Sequence, residues 1–208
     1  MSRSGSTPEN AAALDVTAAG LLGSGGAGRD AQQLEGTGLV ACRERELAVS
    51  HWLLGAADDT ETARAQWREQ GIALLGCGGI LSAVRIPAPL VWAAADAEDL
   101  ETADGFLRRW FDGGAVFMDL HSHLYYVLVP GFATWRWSDR EFPGVGCLGR
   151  DHFLGVPEPQ LTRPRGRAYW SVPMDSPAEL TYLDEVVELV RRGRAAQGGG
   201  YRRSAEDG

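Results

Sequence analysis

Asp119, His121 and His123 stand at alternate positions within Asp-Leu-His-Ser-His, and hold two of the chain's four histidines. Along an unbroken strand this spacing puts one carboxylate and two imidazoles on the same face. That set could hold a divalent ion, because zinc, iron and manganese sites are built from such donors. A hairpin turn at the same place would instead point the three side chains apart and leave them in solvent, and this is the expected arrangement.

Other residues raise narrower possibilities. Arg85 is the sole formal charge between Gly71 and Ala95, so it either snorkels from a strand end or binds a partner such as Asp119 or an anion. The run Gly76-Cys77-Gly78-Gly79 follows a short apolar segment and could bring backbone amides to a phosphate. It lacks the spacing and lysine of a P-loop, so a tight turn is expected. Cys77 and Cys147 have no base beside them in sequence, which leaves nucleophilic catalysis without a pair. Of the seven tryptophans, Trp135 and Trp137 fall outside the core phases and are candidate ligand-binding residues together with Arg85 and His123. Arg163, Arg165 and Arg167 make the best local basic patch.

These residues must be carried by a domain of ordinary size. The 208 residues are 44% hydrophobic and carry a formal charge of −8, enough for one core and unfavourable for a general nucleic-acid binder. Nucleic-acid contact would have to use the Arg163, Arg165 and Arg167 patch, and a protein is the expected partner. Three scattered cysteines without a Cys-x-x-Cys pair fit reduced intracellular thiols. The N-terminus has neither the basic start nor the unbroken apolar core of a signal peptide. Gly71 to Ala95 is broken by Pro87, Pro89 and glycines and carries Arg85 centrally, so no membrane span is expected, and with the reduced thiols a cytoplasmic location is the expectation.

Residues 1–42 are rich in Gly, Ser, Ala and Thr and are expected to form a disordered leader. Residues 43–193 are expected to form the domain and 194–208 a flexible tail. Apolar spacing predicts a helix from Arg43 to Ala57 and, after a break and new N-cap at Asp58-Asp59-Thr60, a second helix running to Gln70. Short strands at Ile72 to Leu75 and Ser82 to Ile86 follow, then a helix opened by Pro87 and Pro89. Asp96 is the expected cap of a further helix running to Trp110. Ala115 to Met118 and Leu124 to Val129 form the central hairpin, followed by a single helical turn at Phe132 to Trp137 and a loop to Gly146. Strands are predicted at Phe153 to Val156 and Ala168 to Val172. Ser176-Pro177-Ala178-Glu179 has the form of a capping box before a closing helix, about Tyr182 to Arg192, ending at Gly193 with Arg191, Arg192 and Arg194 at its negative end. The fold class is α+β, a single domain with a central mixed or antiparallel sheet flanked by helices.

The segment His123-Leu124-Tyr125-Tyr126-Val127-Leu128-Val129-Pro130 resembles the histidine-bearing strand of primase-polymerase domains of the archaeo-eukaryotic primase superfamily. Ala83-Val84-Arg85-Ile86-Pro87, Cys147-Leu148-Gly149 and Tyr169-Trp170-Ser171-Val172-Pro173-Met174-Asp175 are similar to stretches in small uncharacterised proteins of Streptomyces and related actinobacteria. The first resemblance implies that His123 matches the histidine that contacts nucleotide phosphate. In that family the metal-binding acidic pair lies on an earlier strand, whereas here Asp119 precedes His123 by four residues and is followed by His121. We therefore expect a cytoplasmic, non-enzymatic interaction or regulatory protein of an actinobacterium. The alternative is a degenerate or divergent primase-polymerase-like nucleotide- and metal-binding enzyme, with a divalent metal on Asp119, His121 and His123.

Overall fold

The computed structural model describes residues 42–111 and 113–206, with side chains described as far as residue 198. The expected leader, residues 1–42, lies outside the described residues except for its last position. The described residues form one α+β domain. Its elements are α1 (residues 42–54), α2 (Thr60–Gln70), β1 (Ile72–Gly76), β2 (Leu81–Pro87), α3 (Ala88–Ala95), α4 (Leu100–Trp110), β3 (Ala115–Asp119), β4 (Leu124–Pro130), β5 (Gly146–Leu148), β6 (Phe153–Pro157), β7 (Ala168–Val172) and α5 (Leu183–Glu206). A short 3-10 helix at Gly131–Trp135 follows β4. Of the expected mixed or antiparallel sheet, the antiparallel form is found. Five strands run in the order β5-β2-β4-β3-β7, and β1 pairs with β6 in a separate ribbon.

The large sheet is apolar on both faces. Val84, Ile86, Tyr125 and Val127 pack beneath α3, α4 and α5, against Val91, Leu107 and Val190. The alternate set, Ala83, Phe117, Leu128 and Trp170, packs against Leu53 of α1, Trp67 of α2 and Leu75 of β1. Each such fully buried large side chain stabilises the fold by roughly 1.5–3 kcal/mol. With β4 apolar on both sides, polarity alternation alone does not set its register. The turn before it does: Asp119 Oδ1 accepts the amides of His121 at 2.9 Å and Ser122 at 3.3 Å, which closes the chain so that Asp119 faces Leu124.

Several expected boundaries are corrected. Asp96 ends α3 in a left-handed conformation, φ 51°, and it is Asp99 that caps α4, accepting the Thr102 amide at 2.7 Å. Ser176 and Glu179 do bond to each other, at 3.0 Å. They close a turn in which Ala178 has φ 66°, and the helix starts only at Leu183. The loop expected as far as Gly146 gives way there to a further edge strand, β5.

The closing helix does not end at Gly193. A Cβ at Gly193 would collide with the Leu90 carbonyl oxygen of α3, so this glycine is a point of close helix approach inside α5. The arginines around it clasp neighbouring elements rather than the terminus of their own helix. Arg192 Nε donates to Ala94 O at 2.7 Å and its guanidinium lies 5.5 Å from the Phe106 ring centre. Arg194 donates to Pro143 O at 2.7 Å and Arg191 to Glu141 Oε1 at 2.8 Å. No helix among the described residues is long and apolar enough to cross a membrane.

Candidate functional site

Among the described residues one end of the large sheet is left open on the face that carries Phe117 and Trp170. Strand alternation brings Arg85 of β2 opposite Tyr126 of β4, and Tyr126 stacks on Phe117 with ring centres 5.0 Å apart. Asp119 closes β3 two residues further on, and Arg167 precedes β7. With Gln66 and Gln70 of α2 and the β1–β6 ribbon, these residues line a cleft of about 600 Å³. This is the size of a small-molecule or short-peptide site.

Three charges surround the Tyr126 phenol. Burial, and then the Asp119 carboxylate, push its pKa above the ordinary tyrosine value, while Arg85 and Arg167 pull the other way. Arg85 and Arg167 are both exposed. Among the described residues neither forms an ion pair. The Arg85 guanidinium extends past Gly146 of β5, where a Cβ would stand 3.7 Å from Nη2. A guanidinium is a planar fork of donors suited to carboxylate or phosphate oxygens. Two of them with a phenol and two carboxamides give a site that can bind an anion and has one acid, Asp119, in its wall.

The proposed metal donors are placed differently from one another. Asp119 is half-buried with one oxygen engaged by the turn amides, while His121 and His123 are exposed. His123 adopts φ 54° and uses its carbonyl to accept the Ala88 amide at 2.9 Å. Strand β3 ends at Asp119, so the alternation that would align the three side chains stops there. Among the described residues no three His, Cys, Asp or Glu groups gather into a metal-binding set.

The remaining candidates separate as well. Trp135 is 86% exposed. Trp137 is half-buried, lies 5.1 Å from the Phe142 ring and donates to Asp139 at 2.9 Å. Arg163 and Arg165 stay on the outer loop, and only Arg167 of that patch reaches the cleft. The glycine-rich turn after β1 is closed by Gly78 N donating to Leu81 O at 2.8 Å and packs so tightly on Gly131 that a Cβ there would strike the Gly79 carbonyl. Burial pushes the Cys77 thiol to about 11 and the Cys147 thiol to about 12, which keeps both protonated near neutrality and poor as nucleophiles.

A buried polar cluster on the opposite face of the sheet is absent from the expectations above. Asp104 of α4 accepts from the Tyr169 hydroxyl at 3.0 Å and from Ser171, and nearby Tyr125 accepts from Trp92 Nε1 at 3.2 Å. Burial raises the Asp104 pKa against the opposing pull of Ser171, Tyr169 and Arg108. The available signal was an acid set on the apolar stripe Leu100, Ala103, Leu107 of α4. No cavity opens onto Asp104 among those described, so the cluster organises the core.

Comparison with protein-family models, with curated proteins and with solved structures gives no match to this chain.

Proposed function

We propose that the protein is a non-enzymatic interaction or regulatory module of the actinobacterial cytoplasm, and that it engages an anionic group of its partner in the cleft at Arg85, Tyr126 and Arg167. The observation that carries this is the convergence of two exposed guanidinium groups, free of ion pairs among the described residues, on one phenol in a formed cleft. Binding chemistry is therefore assembled where reaction chemistry is not. Burial raises the Cys77 and Cys147 thiols, and among the described residues Asp119 is the sole carboxylate of the cleft wall. Two-metal nucleotidyl transfer, which the primase-polymerase-like alternative requires, uses several acidic ligands.

The test is a thermal-shift panel on the full chain with inorganic phosphate, a nucleoside triphosphate with and without manganese, and acidic peptides. Stabilisation of the parent by anions, reduced in both Arg85→Ala and Arg167→Ala, is the expected result. Metal-dependent turnover of the triphosphate that Asp119→Ala abolishes would overturn the non-enzymatic reading in favour of the alternative.

A further inference from the structure

We propose that β6 is a docking edge, and that an extended acidic segment of a protein partner adds to it as a third strand of the β1–β6 ribbon. This rests on the cleft being an anion-binding site and names what occupies it. In the β1–β6 ladder, Glu158 N donates to Gly71 O at 3.0 Å and Cys77 N to His152 O at 2.9 Å. With the register Ala73 opposite Val156 and Leu75 opposite Leu154, these bonds set the phase in which β6 turns its Val156 and Leu154 backbone toward β1. The amides and carbonyls of Phe153 and Gly155 then point away from β1. No backbone or side-chain partner meets them among the described residues, and both residues line the cleft.

Among the described residues the other edges offer less to an added strand. On β1, the Leu74 amide donates to Gln66 Oε1 at 2.9 Å and the Gly76 amide to Ala56 O at 2.7 Å. On β6 itself Pro157 has no amide hydrogen and its carbonyl accepts from Trp170 Nε1 at 3.1 Å, so the open stretch runs from Phe153 to Gly155. On the large sheet, the Trp170 amide of β7 is taken by Leu161 O at 2.7 Å, and β5 is three residues long. An open edge beside a cleft is the arrangement by which extended peptides are captured through main-chain bonds, with alternate side chains read by the flanking surfaces.

Those surfaces specify the peptide. An added strand would direct one set of side chains at the phase of Leu154 and Val156, toward the large sheet and its Arg85 and Arg167. The other set would fall at the phase of Phe153, which is 57% exposed beside Leu74 at 55%. An alternation of acidic and apolar residues matches both. Since the chain carries −8 overall, preference for acid comes from this local pair of guanidinium groups and not from the field of the whole protein.

The probe is a short fluorescein-labelled peptide alternating Glu and Val, followed by anisotropy on the full chain. Two further versions carry N-methyl groups, one on every Glu amide and one on every Val amide. Strand addition predicts that one methylated version loses about tenfold or more in affinity while the other binds as the parent peptide does. It also predicts severalfold weaker binding by Arg85→Ala and by Arg167→Ala. Equal binding of both methylated versions would overturn strand addition. So would failure of the peptide to bind while phosphate still stabilises the chain through Arg85, an outcome that leaves the anion-binding cleft standing; absence of any anion effect removes both.

Discussion

Tyr169 of β7 donates its hydroxyl to the Asp104 carboxylate of α4 at 3.0 Å, joining helix layer to sheet through a charge-capable group that is 4% exposed. Asp104→Ala strands the Tyr169 and Ser171 hydroxyls in the core. A loss of about 1–3 kcal/mol in urea unfolding is expected, the cost of leaving buried polar groups unpaired.

The same carboxyl gives stability a pH dependence whose sign follows from its burial. Burial raises its folded pKa above that of the unfolded chain, so the folded state holds more protons between the two values. Its contribution is greatest below the ordinary carboxylate range and declines as pH rises through the raised value. Unfolding curves of parent and Asp104→Asn, measured across that interval, should differ by this slope.

Gly193→Ala pits helix propensity against space. Alanine favours a helix interior by roughly 1 kcal/mol, but here the methyl would collide with the Leu90 carbonyl and force α3 and α5 apart. Overpacking of this kind costs about 1–3 kcal/mol, so a net fall in the thermal midpoint is expected.

Thiol chemistry should divide the cysteines. Cys42 is exposed, Cys77 buried and Cys147 half-buried, with the latter two thiols raised to about 11 and about 12. A disulfide reagent at neutral pH should modify Cys42 rapidly and the other two only on unfolding, as followed by mass of the intact chain.

Asp119→Ala removes the acceptor that closes the β3–β4 turn. About 1 kcal/mol of destabilisation is expected from the lost turn bonds. Anion stabilisation through Arg85 should persist, a result that calorimetry with phosphate would register.

The hairpin, the short buried strands and the proline-led α3 were legible because each depends on local pattern: apolar runs, turn residues and a fixed proline φ. Gly193 was misread because a helix-ending glycine and one that admits a neighbouring backbone look alike until α3 is placed beside α5. Ser176 to Glu179 satisfies the capping-box formula with side chains alone, and the left-handed Ala178 that keeps it out of the helix has no signal in residue type. Arg85 could be singled out as the one charge in an apolar stretch. Its cleft could not, because Gln66, Tyr126 and Arg167 come from α2, β4 and the approach to β7. Only the antiparallel order of the sheet gathers them.

The ribbon sets an order of events during synthesis. Ile72 must find Pro157, with β2, α3, α4, β3, β4 and β5 all emerging in between. The β3–β4 pair can zip as soon as it leaves the ribosome, whereas β1 waits for β6, and non-local pairing of this kind is slow. Until then β1 presents the apolar Ala73 and Leu75 edge to any neighbouring nascent chain, so chains halted before residue 157 should be the ones that aggregate.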